Sequence, residues 1–408
     1  MPENYKPQDA MWPWWLGDPS SPRLIGRISL ADGNRKVALE YAPAWLAAGS
    51  GGFALSEDLP LHRGIFTPAE KDMAAGAVDD ARPDRWGERV IRLIDRPKRL
   101  SLLEFLYFSG DERFGALGVS LSPDAYLPRE RGPVPSFEGL ADMEAAVKNV
   151  LANEAVPEIH RRLLQPGASF GGARPKSLIQ IDGRQWVVKF SEGEDMDTPL
   201  VEHATMLLAR RCGIHSAQTT ALALSKGHAV AVCRFDRVGD QRIHAISANV
   251  ALRACGEALG YPELAQLLRR LGRPDAIKAQ QEELFRRMVF NILMDNTDDH
   301  EKNHALVRGD DGFYALSEAF DMVPSAQGLR YQQMRVGKDG AESTLENALS
   351  EAPAFGLMGA KPREIVSEMC REVDHWKERF MEQGVRSGDI EALAQYIDGD
   401  FLLGQRRQ

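Results

Sequence analysis

Apolar and polar positions along this chain follow two periods, and the switches between them mark out its elements. Over residues 22–42 the period is two: RLIGRISL and KVALEY flank ADGNR, and the Asp-Gly pair predicts a hairpin. Helical spacing takes over around 83–107. The Pro- and Gly-rich stretch LPRERGPVPS at 127–136 then predicts a boundary, so a β-rich first domain is expected over 1–135. A helix is expected near 137–165, followed by QPGASFGGARPK, which is too rich in Gly and Pro for a regular element and reads as a loop. SLIQI and QWVVKF around Asp182-Gly183 predict a second hairpin. Asp197 or Thr198 can cap a helix running to about Gly213, and TTALAL and AVAVCRF flank the SKGH turn as two more strands. From 236 onward the chain reads as mostly helical. Its firmest element is EELFRRMVFNILMD, where Leu284, Phe285, Met288, Val289, Ile292 and Leu293 share one face. That helix ends in NTDDHEKN, after which ALV and FYAL around RGDDG predict a third hairpin.

Composition narrows the classes. With 408 residues the chain is long enough for two or three cores, and 43% hydrophobic with 27% charged residues excludes a disordered chain. A net charge of −9 argues against a generic polyanion binder. Cys212, Cys233, Cys255 and Cys370 form no CxxC pair and read as reduced thiols. The start of the chain lacks a basic and apolar leader, and no stretch approaches a membrane span, so a cytoplasmic protein without membrane contact is expected. Trp12, Trp14 and Trp15 read as an aromatic plug on the protein's own core, with a partner or membrane-surface anchor as the alternative.

The candidate chemistry lies in an ordered set. Phosphoryl transfer needs a loop over the phosphates, a cation on them, a base beside the attacking hydroxyl, and hard oxygen ligands for magnesium. A glycine-bearing loop from Gly167 to Lys176 precedes a strand carrying Lys189, a helix carrying Glu202, two strands, a long helix, an acidic loop and Asp321. Within the acidic loop Asp298 precedes Asn303 by five residues, the kinase spacing of catalytic Asp and magnesium-binding Asn. Glu202 reads equally as a partner of Lys189 or as part of an exposed helix face.

TDDHEKN resembles the NTDGHxKN segment of HipA-family kinases, the toxin halves of bacterial toxin-antitoxin pairs. SFGGARPKSLI is similar to that family's phosphate-loop segment, WVVKF to its lysine strand, CRFDR to its hinge strand, and LSEAFDMVPS to its magnesium-aspartate segment. The likeness spans about 165 to 326, and LSEDLPLHRG and DERFGALGV resemble the family's N-terminal domain. This resemblance implies Asp298 as catalytic base, Asn303 and Asp321 as magnesium ligands, and Lys189 as the phosphate-pairing lysine. It also implies Lys176 as a second phosphate contact, Ser169, Gly171 and Gly172 in the phosphate loop, with Ser169 the autophosphorylated residue, and Cys233 to Phe235 as the adenine hinge. Glu202 and His300 join the nucleotide-binding set. Asp299 departs from the family pattern, where a small residue is usual, and Cys233 stands where an acidic one is often found.

Two rival motifs are present. His300 to His304 spells HExxH, but a zinc site needs both histidines on one face of a stable helix, and this segment follows a helix break and runs into a strand. Gly167 to Gly171 spells GxSxG, but a nucleophile elbow joins a strand to a helix, the reverse of this context.

The expectation is therefore an α+β, protein-kinase-like bilobal fold: a β-rich N-terminal domain, a small β-containing lobe over 136–235 and a helical lobe over 236–408. The resemblance further implies ATP and Mg2+ as cofactors, a protein substrate such as an aminoacyl-tRNA synthetase, and a small helix-turn-helix antitoxin through which DNA is contacted indirectly. A catalytically idle nucleotide-binding scaffold is the alternative; the intact Lys189, Asp298, Asn303 and Asp321 weigh against it.

Overall fold

A computed structural model of the chain describes residues 5–167 and 172–407. Its contacts divide it into two units, the first made of Met1–Glu192 with Arg234–Ile246 and the second of Gly193–Cys233 with Ser247–Gln408.

In the first unit, strand β1 (Ala10–Trp15) pairs through Ala10 and Met11 with β2 (Gly26–Ala31), which forms the expected hairpin with β3 (Lys36–Tyr41). The connecting Asp32, Gly33 and Asn34 all have positive φ, the conformation that Asp, Gly and Asn adopt at least cost. β1 shows no period-two signal because Pro13 and consecutive tryptophans break the alternation. Trp14 is nonetheless buried, and the Trp15 ring lies 5.0 Å from that of Phe53 and 5.8 Å from that of His244, so both pack on this unit's own core. Helices α1 (Arg85–Ile94) and α2 (Leu102–Phe108) follow, then β4 (Leu117–Ser120), which pairs with Trp12–Trp15 of β1. The helical stretch expected near 137–165 is broken: α3 covers Leu140–Leu151, and Pro157 opens only a single further turn. β5 (Lys176–Ile181) and β6 (Arg184–Lys189) form the next hairpin, and its turn residues Asp182 and Gly183 have φ of 49° and 74°. Positive φ at both positions is what a two-residue hairpin turn demands.

A buried charge cluster ties two distant stretches of this unit together. Asp236 is fully buried and accepts from Arg234 Nη2 at 2.9 Å, Arg237 Nη1 at 3.1 Å and the Gly115 amide at 2.8 Å. Arg234 Nη2 also donates to the Arg113 carbonyl at 2.7 Å, and Arg242 Nη2 pairs with Asp111 at 2.7 Å. The segments DERFGALGV and CRFDR are thus halves of one lock. Burial pushes the Asp236 carboxyl up, but Arg234 and Arg237 outweigh it and bring it down to about 2.

In the second unit, α4 (Thr198–Arg211) begins with Asp197 at its N-cap position. The Asp197 carboxylate makes no capping bond and sits 2.6 Å from His228 Nδ1 instead. β7 (Thr219–Ala223) and β8 (His228–Cys233) form a hairpin. Helix α5 (Tyr261–Leu271) and α6 (Ile277–Leu293) pack on each other, and α7 (Lys361–Val373) also packs on α6. Leu284, Phe285, Met288, Val289, Phe290, Ile292 and Leu293 of α6 are fully buried, so the predicted apolar face is the centre of this core. β9 (Ala305–Arg308) and β10 (Tyr314–Leu316) form the third hairpin. Between α6 and β9 the chain is pinned by Asp299, which is buried and accepts from the Tyr261 hydroxyl and from His304 Nε2 at 2.7 Å. Burial pushes the Asp299 carboxyl up, but His304 and the two hydrogen bonds hold it below its ordinary value.

Two stability predictions follow from these buried carboxylates. Asp236→Asn leaves Arg234 and Arg237 facing each other and is expected to cost about 3–5 kcal/mol at neutral pH. Because the folded carboxyl is depressed from 3.8 to about 2, its contribution, on the order of 2 kcal/mol, is complete above the unfolded value and lost as pH falls from 3.8 toward 2. Urea denaturation of wild type and variant across that window checks both, and a gap that stays constant from pH 7 to pH 2 contradicts the assignment. Asp299→Ala strands the Tyr261 hydroxyl and His304 in the core and is expected to lower stability by about 3 kcal/mol in urea unfolding.

Candidate functional site

The acidic loop is built from the end of α6. Asp295, at φ 52°, turns the chain out of the helix, and its carboxylate accepts the amides of Gln327 and Gly328 at 3.3 and 3.2 Å. The Asp295 carbonyl accepts the Ser325 amide at 2.9 Å. In return Ser325 Oγ accepts the amides of Thr297 at 2.9 Å and Asp298 at 3.1 Å. These bonds lace 295–298 to the segment that follows Asp321. Ala319, two residues before Asp321, is held by backbone bonds of 2.8 Å to His215 and Ala217. Asp298 and Asp321 thus come from two segments cross-tied a few residues from each.

Within this frame Asp298 is exposed and its neighbour Asp299 is buried. Asp321 lies in the left-handed region at φ 59°, a conformation disfavoured outside glycine and frequent where side-chain direction matters to a site. Asn303 closes a single 3-10 turn, Glu301–Asn303, and is only 5% exposed. Its side-chain oxygen is buried without a hydrogen-bond partner among the described residues, as are Thr297 Oγ1 and His300 Nδ1. A buried acceptor left unsatisfied costs about 1–3 kcal/mol, a cost that a bound ligand or water here would recover. The Asn303 carboxamide oxygen and the Asp321 carboxylate are hard oxygen donors of the kind magnesium takes, one or two protein ligands with the remainder from phosphate and water. The residues present fit that ion.

The zinc reading fails on the same geometry. His304 lies outside any helix and is buried against Asp299, and no group of three His, Cys, Asp or Glu side chains placed to hold a metal occurs among the described residues. None of the four cysteines is in a disulfide among the described residues; burial pushes the Cys212 thiol up to about 12 and that of Cys370 up to about 11. Glu202 is 1% exposed, which removes the exposed-face reading.

The cationic residues belong to the first unit. Lys176 and Lys189 are cross-strand partners in the β5–β6 register and are both buried. Lys176 Nζ lies 2.5 Å from Asp84 Oδ2 and 3.4 Å from the Gly172 carbonyl. Gly172 has φ 82°. Ser169 and Gly171 lie outside the described residues. At the expected hinge, the Cys233 amide donates to the Gln218 carbonyl at 2.8 Å and the Arg234 amide to that of Gln185 at 3.1 Å. Phe235 packs edge-on to Phe114, ring centres 6.2 Å apart. Sequence reasoning missed Asp84, Ser325 and Tyr261, and weighed His304 only as part of the HExxH string, not as the partner of Asp299. Asp84, ahead of an amphipathic run, signals a helix cap, but nothing in the sequence connects it to a lysine far along the chain.

No helix among the described residues is long and apolar enough to cross a membrane. Compared with known proteins, the chain is 25% identical over 352 residues to "Putative kinase Y4mE" of Sinorhizobium fredii, covering 80% of each. It is 28% identical over 160 residues to "Putative kinase Y4dM" of the same organism, covering 35% of this chain and 37% of that one. Among solved structures it matches HipA in the Shewanella oneidensis MR-1 complex of the toxin-antitoxin proteins HipA and HipB with operator DNA. The TM-score is 0.66 at 19% identity, over 97% of this chain and 96% of that one, a shared mixed α/β fold. Residues 20–120 match the HipA N-terminal domain and residues 168–377 the HipA-like C-terminal domain, and the chain belongs to the HipA family.

Proposed function

We propose that this chain is an ATP- and magnesium-dependent protein serine/threonine kinase. The observation that carries the reading is the acidic loop, where Asp298 is exposed on a laced backbone while the Asn303 side-chain oxygen is buried and unsatisfied. Asp298 accepts the proton of the substrate hydroxyl as its oxygen forms a bond to the γ-phosphorus and the bond to the β-phosphate oxygen breaks, releasing ADP. Asn303 and Asp321 hold magnesium, which when bound neutralises charge on the phosphates. Lys189 and Lys176 supply cations; Glu202 joins the nucleotide-binding set; Gly171 and Gly172 let the loop approach the phosphates; Cys233 to Phe235 and His300 contact the nucleotide.

Ser169, flanked by Gly167 and Gly171, is proposed as an autophosphorylation site. A phosphate there adds a charge of about −1.5 to −2, which repels the phosphates of ATP and switches the enzyme off. The relative in Shewanella was solved with HipB and operator DNA. By that analogy we propose an antitoxin as partner; from the motif resemblance we propose that it is a small helix-turn-helix protein and that the substrate is a translation protein such as an aminoacyl-tRNA synthetase, and we place the protein in the cytoplasm.

The direct test is thermal stabilisation by ATP that requires magnesium, followed by radiolabelled phosphate transfer into cell extract; stabilisation without any transfer favours an idle scaffold. Asp321→Ala is expected to abolish turnover, and near-normal activity sinks the metal assignment. Asp298→Asn is expected to keep nucleotide affinity while slowing transfer about 100- to 10,000-fold. Intact-mass analysis after incubation with magnesium-ATP is expected to find one phosphate, at Ser169, in wild type and none in Asp298→Asn; a Ser169 phosphoform with normal ATP affinity contradicts the switch.

A further inference from the structure

Lys176 is gripped from one side by a helix start. Its ammonium is 2.5 Å from Asp84, the N-cap of α1, whose other carboxylate oxygen accepts the Gly87 amide at 2.9 Å. Trp86, in the same turn, donates its indole N–H to the Lys176 carbonyl at 2.7 Å. The side chain and the backbone of one residue are thus fixed by one turn of α1. The chain ahead of 168–171 is seated just as closely: a Cβ at Gly87 would stand 2.2 Å from the Pro166 carbonyl oxygen, and one at Gly167 would stand 2.9 Å from the carbonyls of Ser109 and Glu112. Both flanks of the glycine loop therefore rest on residues that belong to the matched N-terminal domain.

The pair is poorly explained by stability alone. Lys176 is 2% exposed and the Asp84 side chain 9%, and burial pushes the Asp84 carboxyl up against the pull of Lys176. Ion pairs taken out of water in this way return little net stability. Lys189 stands directly across the strand, so two lysine side chains leave the sheet on the same face. A carboxylate on Lys176 fixes where its ammonium points.

We propose that Asp84 is a positioning residue for ATP: acting through Lys176, it holds the strand-side end of the phosphate loop, Gly172 to Lys176, in the conformation that receives the nucleotide phosphates. This rests on the kinase reading above. Asp84 touches no nucleotide; its effect passes through Lys176 and belongs to binding more than to the chemical step.

The test is a double-mutant cycle on the full chain, reading magnesium-ATP affinity by titration calorimetry and the rate of ADP formation at saturating ATP. Asp84→Asn keeps an N-cap acceptor and the shape of the side chain, and Lys176→Met keeps most of the aliphatic stem. Each single variant is expected to weaken affinity about tenfold, the double variant no more than either single one, and the saturating rate of the Asp84 variant to stay within about twofold of wild type. Should Asp84→Asn melt well below wild type, Asp84→Ser, another capping residue, replaces it in the cycle. Unchanged or tighter binding in the Asp84 variant, additive losses, or an equal fall in the saturating rate overturns the proposal. A wild-type protein that fails to bind magnesium-ATP instead removes the kinase reading itself, so the two failures are told apart.

Discussion

A charge taken out of water must meet an opposite charge within a few ångströms or be neutralised, and this chain uses that constraint repeatedly to fix loops. Asp236 between Arg234 and Arg237 joins DERFGALGV to CRFDR across more than a hundred residues of sequence. Asp299 between Tyr261 and His304 fixes the acidic loop to a helix of its own core. Asp84 on Lys176 fixes the base of the glycine loop. In each case irregular backbone, which cannot hold itself by a regular ladder of hydrogen bonds, is held by an ion pair or a charged hydrogen bond.

What was legible in the sequence follows the same division. Regular elements announced themselves by period: the β2–β3 and β5–β6 hairpins by alternation around Asp-Gly, and α6 by its apolar face. The expected mixture of sheets and helices is present, and the family was legible from short ordered motifs. β1 was hidden because burial on both sides erases alternation, as at Met11, Pro13 and Trp14. The long helix near 137–165 was overread because apolar spacing continues past Pro157 while the backbone cannot.

The candidate site was legible as a set of residue types and less so as a set of contacts. Asp298, Asn303 and Asp321 stood out by spacing and order. Ser325, whose hydroxyl oxygen takes two successive amides of the acidic loop, looked like any serine after a proline. Asp299 stood out only as a departure from the family pattern, and it is the loop's buried anchor. Such partners escape a linear reading because hydrogen bonds between distant segments leave no periodic trace.

The close approach of Gly87 to Pro166 and of Gly167 to Ser109 and Glu112 also bears on how this protein can diverge. Sequence comparison recognises two modules, at 20–120 and 168–377, as though each were inherited and exchanged separately. The packing seats the segment just ahead of the second module, Pro166 and Gly167, on the first, a seam with no room for a methyl group at Gly87 or Gly167. A graft of the N-terminal module from a distant relative would therefore need matched glycines on both sides, and drift at one face of the seam constrains what the other can become.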